Sequence, residues 1–176
     1  MIPETEEQVV LVDREDREVG AMPKLKAHEL GVLHRAFSIF LFDTDGNVML
    51  QQRAAGKYHS ALLWTNACCS HPRPGEPISD AAVRRLQEEL GMDCPVSWLF
   101  SFTYRTEFDG GLVEHEIDHV FYGTTDKKPV LNADEVAGIR YAAPAQVLEE
   151  MERHPEEFTS WFRISARRVF EELDLI

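Results

Sequence analysis

Glu76-Pro77-Ile78-Ser79-Asp80-Ala81-Ala82-Val83-Arg84-Arg85-Leu86-Gln87-Glu88-Glu89-Leu90-Gly91 is the stretch from which the fold is read. Ser79 is suited to cap a helix over about Asp80 to Leu90, and Gly91 to close it in the left-handed conformation glycine adopts easily. Val83, Leu86 and Leu90 fall at helical spacing and form an apolar stripe, which leaves the charged residues for another face. Arg84–Glu88 and Arg85–Glu89 both stand at i,i+4, where exposed ion pairs are worth only roughly 0.3–0.5 kcal/mol each. Taken alone, this is an ordinary amphipathic helix. The chain on either side gives it meaning.

Upstream, His71-Pro72-Arg73-Pro74-Gly75-Glu76-Pro77 must be a loop, and Leu62 to Ser70 reads as extended. Ala36 to Phe42 and Val48 to Arg53 are apolar-rich runs separated by Asp43-Thr44-Asp45-Gly46-Asn47, a hairpin signal. Gln8 to Val12 reads as a short strand followed by a charged turn, Asp13 to Glu18. Downstream, strands are expected near Val96–Arg105 and Val113–Tyr122, joined by Asp109-Gly110-Gly111. A short strand near Gly138–Tyr141 precedes two helices, Ala145–Arg153 and Pro155–Leu173. No repeat, low-complexity tract or linker interrupts the pattern. The expected fold class is α/β (α+β), mixed sheets flanked by helices, in a single compact domain over residues 1–176.

Three groups could carry chemistry. In Trp64-Thr65-Asn66-Ala67-Cys68-Cys69-Ser70-His71-Pro72, side chains two apart share a face, so Cys69 and His71 point together and Cys68 points away. A thiol beside an imidazole suits a metal site, an activated nucleophile or a proton-transfer pair, and equally a buried structural cysteine beside a loop histidine. In Val113-Glu114-His115-Glu116-Ile117-Asp118-His119, the same alternation puts Glu114 and Glu116 on one face, with His115 on the other. Two such carboxylates repel unless one is protonated or a cation lies between them; a solvated strand edge is the plainer alternative. His28 and His34 lie six apart, a spacing that implies no shared helix face.

The bulk properties bound the partners. The 176 residues suffice for one substantial core, and 44% hydrophobic with 28% charged residues is ordinary for a globular protein. A formal net charge of −13 argues against nucleic acid and anionic membrane as partners. An anionic substrate would therefore need a local basic pocket. No apolar run reaches the length of a membrane-spanning helix. The acidic opening Met1-Ile2-Pro3-Glu4-Thr5-Glu6-Glu7 lacks the regions of a signal peptide, and Cys68, Cys69 and Cys94 are an odd set. Free thiols in a reducing cytoplasm are the expectation.

Counted back from Gly91, residues Glu76, Arg84, Glu88 and Glu89 fall on the pattern of the Nudix box, the metal-diphosphate helix signature. Ser70 stands where the box opens with glycine, and Arg85 stands where a glutamate commonly loads metal for hydrolysis. An arginine there favours holding a diphosphate.

With Lys24, His28 and His34, the Thr65–Pro72 stretch, the variant helix, Tyr104-Arg105 and Glu114-His115-Glu116, the chain resembles the type I isopentenyl-diphosphate isomerases. These are a non-hydrolytic branch of the Nudix fold, and the resemblance covers nearly the whole chain. It implies that His28, His34, His71, Glu114 and Glu116 bind one divalent ion, Mn²⁺ or Zn²⁺, and that Glu89 binds a Mg²⁺ arriving with the substrate diphosphate. It implies Lys24, Arg53, Lys57 and Arg85 around that diphosphate and Trp161 in the pocket. It makes Cys69 and Glu116 the catalytic pair, with Tyr104 relaying a proton to Glu116.

The implied partner is a small isoprenoid diphosphate, acted on by a cytoplasmic monomer. A nearby cation is expected to lower the Cys69 thiol from about 8.5 towards neutrality. A Nudix diphosphohydrolase and a catalytically silent metal-binding module are the competing readings. Cys68, Cys94, His115 and His119 are expected to be structural or surface residues.

Overall fold

A computed structural model describes residues 7–176, so the acidic segment 1–6 lies outside the described residues. The chain runs β1 (Gln8–Val12), β2 (Glu18–Pro23), α1 (Lys24–Leu30), β3 (His34–Phe42), β4 (Val48–Arg53), β5 (Trp64–Thr65) and β6 (Cys68–Ser70). It continues with α2 (Ile78–Leu90), β7 (Ser97–Glu107), β8 (Val113–Thr124), β9 (Val136–Ala142), α3 (Pro144–Arg153) and α4 (Ser160–Glu172). The expected mixed sheet with flanking helices is what forms.

β3 is the spine. It pairs in parallel with β8 from His34↔Glu116 to Phe42↔Thr124, and antiparallel with β6 at Ser38↔Cys69. All its residues except Arg35 are buried, because helices cover both faces, and the near-continuous apolar run Ala36–Phe42 follows from that. On one face, Phe37, Ile39 and Leu41 pack with Leu86 and Leu90 of α2. On the other, Phe40 and Phe42 meet Phe162, Val169 and Phe170 of α4; Phe40 stacks on Phe162 at 5.7 Å between ring centroids.

The β3–β4 hairpin closes only at its turn. The strands pair at Phe42↔Val48, then separate: β6 adds to β3, while β5 and β9 add to β4. Leu62–Ser70 is therefore two short strands rather than one extended run, each serving one side of this split. A cavity opens between the sides, which is why the hairpin's failure to zip matters for function.

Several sequence expectations are corrected. The α2 helix starts at Ile78 after Pro77, with no side-chain cap; Ser79 lies inside its first turn. Val83 is 42% exposed, and the buried face is instead Ala81, Ala82, Leu86, Glu89 and Leu90. That face tolerates a carboxylate because Glu89 reaches polar partners in the cavity. Gly91 does close the helix, at φ 58°, and a Cβ there would come within 3.1 Å of the Val130 carbonyl oxygen. The expected turn 13–18 leads into strand β2, which pairs with β1, and the seven-residue α1 was not foreseen. The last helix begins only at Ser160, because Phe158 and Thr159 are extended and bridge to Trp64.

The burial pattern sets a stability contrast. Leu86→Ala is expected to cost about 2–5 kcal/mol and Val83→Ala less than about 0.5 kcal/mol in urea unfolding. Equal losses would contradict the orientation of α2.

Candidate active site

The split between β3 and β4 forms a cavity of roughly 770 Å³. Cys69, Glu116, Tyr104, Lys24, Arg53, Lys57, Arg85, Trp161, His71, Glu114 and Glu89 all line it. His28 and His34 sit behind this wall, 1% and 0% exposed. The candidate residues thus gather in one place from five strands, three helices and the connections between them.

Glu116 is the point of convergence. Its Oε1 lies 2.8 Å from His71 Nε2, 3.1 Å from His34 Nε2 and 3.9 Å from His28 Nε2. These four residues offer ligand atoms that all lie within 4.8 Å of one another. Glu114 is not among the four: its Oε1 meets His59 Nε2 at 3.3 Å, and its Oε2 lies 3.0 Å from the Tyr104 hydroxyl.

The donor chemistry fits a cation. His34 Nδ1 donates to the Val32 carbonyl oxygen at 2.8 Å, so a neutral His34 ring turns the lone pair of Nε2 toward Glu116. His28 Nε2 and His34 Nε2 face each other at 3.3 Å. Lone pairs gathered around a carboxylate oxygen repel unless a positive centre joins them. Burial pushes His28 down to about 2 and lowers His71, leaving both neutral and available as ligands.

The carboxylate pair resolves its repulsion by unequal protonation. Burial raises Glu114 well above the ordinary carboxylate range, with the Glu116 charge adding to it. Burial also opposes ionisation of Glu116, but positive charge and N–H donation at His71 and His34 outweigh it and hold Glu116 well below that range. With the rings neutral and their lone pairs turned inward, a cation at the same place would have this effect. Tyr104 lies between them, 2.7 Å from Glu116 Oε2. With one proton to give, its hydroxyl donates to ionised Glu116 and accepts from protonated Glu114.

Cys69 departs from expectation. Its thiol is pushed up to about 12 by burial, and the pull of Arg53 does not offset it, so the thiol is protonated at neutral pH. Its position is as foreseen: Cys69 turns to the α4 side of the sheet and buried Cys68 to the α2 side. Cys69 and Glu116 come from the two strands that flank β3.

Around Arg85, Lys57 and Glu89 the pocket is laced with ion pairs rather than basic. Arg85 contacts Glu88 at 2.8 Å, Glu89 at 2.5 Å and Glu135 at 3.3 Å, and Lys57 contacts Glu135 at 2.5 Å. Gln51 donates to Glu89 Oε2 at 2.9 Å. Lining carboxylates (Glu7, Glu88, Glu89, Glu114, Glu116, Asp118, Asp134, Glu135) outnumber the cations Lys24, Arg53, Lys57, Arg73 and Arg85. The expected basic pocket is therefore corrected to one in which acidic side chains exceed basic ones. The indole of Trp161 faces the Arg53 guanidinium at 5.3 Å, and its Nε1 is buried without a partner.

Sequence reasoning passed over His59, Tyr58, Gln51 and Glu135, which lie on loops or read as ordinary strand residues. It also passed over Asp118, which the period-two argument could have found beyond Glu114 and Glu116. Asp118 is 1% exposed, accepts from the Ser38 hydroxyl at 2.7 Å and is raised to about 8, chiefly by burial. His115 and His119 stay outside the site, bonded to Gly31 and Asp16. Cys94 is buried, and all three thiols are free.

A carboxyl raised on folding binds its proton in the native state while the unfolded chain, near 3.9, has already lost it. Its contribution is therefore full below about pH 4 and lost as pH rises toward 8, at up to about 1.4 kcal/mol per unit. In metal-free protein, Asp118→Asn is expected to gain stability relative to the parent between pH 5 and pH 8. Urea unfolding at both pH values checks this; a difference that does not change with pH would refute the buried neutral carboxyl.

The chain is similar to known proteins in both sequence and fold. The NUDIX domain profile matches residues 32–162. The fold resembles that of a Deinococcus radiodurans crystal structure at TM-score 0.77 and 21% identity, over 92% of this chain and 98% of that one. A MutT protein from Methanosarcina mazei matches at TM-score 0.64 and 17% identity, over 80% and 94%. Isopentenyl-diphosphate Delta-isomerase 2 of Aromatoleum aromaticum is 51% identical over 164 residues, 93% of this chain and 87% of that protein. The isopentenyl-diphosphate Delta-isomerase of Pectobacterium atrosepticum is 46% identical over 162 residues, 92% and 90% of the two chains. Identity at this level over nine-tenths of its length, on a NUDIX scaffold, makes the chain a member of the isopentenyl-diphosphate Delta-isomerase family.

Proposed function

We propose that this isomerase interconverts isopentenyl and dimethylallyl diphosphate by proton transfer at Cys69 and Glu116, acting from opposite sides of the alkene. One arrangement supports the reading. Cys69 and Glu116 lie on strands flanking β3, in one cavity with a buried indole and a set of basic side chains.

Protonating an unactivated alkene gives a tertiary carbocation, so the reacting carbons need an acid, a base and walls that keep water out. Glu116, ionised at rest and hydrogen-bonded by Tyr104, is the group we assign to protonate isopentenyl diphosphate once it has taken up the proton that Cys69 gives up. Cys69 takes the proton from the neighbouring carbon. The roles exchange in the reverse direction. Because the thiol holds its proton at rest, Cys69 serves as base only after losing it, and Arg53 is the cation that opposes the cost of the buried thiolate. Trp161 offers the developing cation an aromatic face, worth about 0.5–2 kcal/mol.

His28, His34, His71 and Glu116 are the residues we assign to one divalent ion, Mn²⁺ or Zn²⁺, with Glu114 as the second carboxylate of the set. Glu89 would hold Mg²⁺ with the diphosphate. Bound there, these ions would raise the acidity of the Glu116 carboxyl and neutralise the phosphate charge. Lys24, Arg53, Lys57 and Arg85 orient the diphosphate, and Glu135 fixes Lys57 and Arg85 for it.

Metal-loaded protein incubated with isopentenyl diphosphate in D₂O is expected to yield deuterated dimethylallyl diphosphate with the diphosphate intact by phosphorus NMR. Released phosphate, or no exchange, would refute the reaction. Cys69→Ala and Glu116→Gln are each expected to lower kcat at least about 100-fold with the fold retained; near-normal turnover in either would reject the pair.

Glu135→Gln is expected to raise KM about 10-fold with kcat nearly unchanged, because a desolvated charged contact is worth about 1.5–3 kcal/mol. Steady-state kinetics separates that outcome from a catalytic role.

A further inference from the structure

The three imidazoles around Glu116 are held from behind in three different ways. His34 Nδ1 donates to the Val32 backbone carbonyl at 2.8 Å. His71 Nδ1 is buried with no hydrogen-bond partner. His28 Nδ1 lies 2.8 Å from the Tyr58 hydroxyl. Among the described residues, His28 is therefore the one member of the trio whose outer nitrogen meets a side chain, and that contact can be altered without touching the backbone.

We propose that Tyr58 is a positioning residue of the metal centre, its hydroxyl accepting from His28 Nδ1–H so that the Nε2 lone pair stays turned toward His34 and Glu116. The proposal rests on reading the His28–His34–His71–Glu116 cluster as a metal site, and it adds a residue outside the ligand set.

The geometry around Tyr58 supports a fixed hydroxyl. Its ring is 39% exposed, yet the hydroxyl bonds to a histidine only 1% exposed, so the side chain bridges the protein surface and the buried cluster. The residues on both sides are anchored. Lys57 Nζ lies 2.5 Å from Glu135, and His59 Nε2 lies 3.3 Å from Glu114 while its ring stacks on Phe108 at 4.5 Å. Lys24 Nζ sits 5.7 Å from the centroid of the Tyr58 ring. The connection from β4 to β5 thus brings Tyr58 to the helix that carries His28, at a nitrogen that cannot face the metal position together with Nε2.

A neutral imidazole carries one proton. Left unguided, His28 could place it on Nε2, which removes that atom as a ligand. An acceptor at Nδ1 favours the binding tautomer and fixes the ring plane, and loss of such an outer partner typically weakens metal binding about 10–100-fold.

The test uses full-length, metal-free protein and titrates Mn²⁺ and Zn²⁺ separately against a competing chelator. Tyr58→Phe removes only the hydroxyl from a ring that is partly exposed, so circular dichroism and urea unfolding should match the parent. The expected result is at least 10-fold weaker binding of both ions, with kcat restored to within about twofold of the parent at saturating metal. His28→Ala is the companion variant, expected to lose the site.

Parent-like metal affinity in Tyr58→Phe, while His28→Ala fails to bind, would overturn the role of Tyr58 and leave the metal site standing. Parent-like binding by His28→Ala would remove the metal-site reading and the proposal with it. A kcat that stays low in Tyr58→Phe at saturating metal would also overturn it, because the hydroxyl would then act on more than the ligand.

Discussion

A carboxylate buried without compensation is too costly to keep ionised, and the centre of this fold is organised around one that is kept. Glu116 is 4% exposed. Its Oε1 is surrounded by three imidazoles, and Tyr104 bonds its Oε2. Each compensating group comes from a different part of the chain: His28 from α1, His34 from the start of β3, His71 from just beyond β6 and Tyr104 from β7. The parallel register of β3 with β8, which sets His34 directly beside Glu116, is what brings the group together. Protonated Glu114 and the raised carboxyl of Asp118 follow from the same constraint. A strand that places three acids on one buried face cannot keep all of them ionised.

The same arithmetic governs substrate binding. A chain of net charge −13 was expected to offset its charge with a basic pocket, but lining carboxylates still outnumber the cations when Glu114 and Asp118 are counted as neutral. Lys57 and Arg85 are already bonded to carboxylates, which fixes their direction for the proposed diphosphate contact while offsetting part of their charge. On the proposed reading, a divalent ion arriving at Glu89 with the substrate supplies the missing positive charge. Glu89 is suited to this because Gln51 fixes one oxygen and Arg85 the other on an otherwise apolar helix face.

Much of this was legible where a simple periodicity carries the information. Alternation correctly separated Cys69 from Cys68 and paired Glu114 with Glu116, because strand side chains alternate whatever the tertiary context. Gly91 ended α2 as its backbone freedom requires. The failures have physical causes. α1 has seven residues, too few for a helical pattern to declare itself, and it carries Lys24 and His28. Val83 was assigned to the core because Val is apolar, but the register of α2 turns Glu89 inward instead. Tyr58, His59 and Glu135 lie in connections, where no period links a side chain to its partner. The hairpin was visible, but its opening after Phe42↔Val48 was not, since it depends on β6, β5 and β9 arriving from elsewhere.

The variant helix also explains why a scaffold matched by the NUDIX profile need not hydrolyse its diphosphate. Hydrolysis on this kind of helix needs several free carboxylates to gather metal around the bond being cut. Here Arg84 is clamped to Glu76 at 2.7 Å and also meets Glu88 at 3.2 Å, while Arg85 meets Glu88 and Glu89. Two guanidinium groups thus take up the carboxylates that would otherwise crowd metal against the phosphorus. Glu89 is engaged too, by Arg85 at one oxygen and Gln51 at the other; on the proposed reading it helps neutralise a diphosphate but is poor at activating water beside it. On the proposed mechanism the chemistry falls instead to Cys69 and Glu116, which line the same cavity. Arginine at position 85 thus suits the proposed use of this end of the pocket, to hold a diphosphate rather than to cleave it.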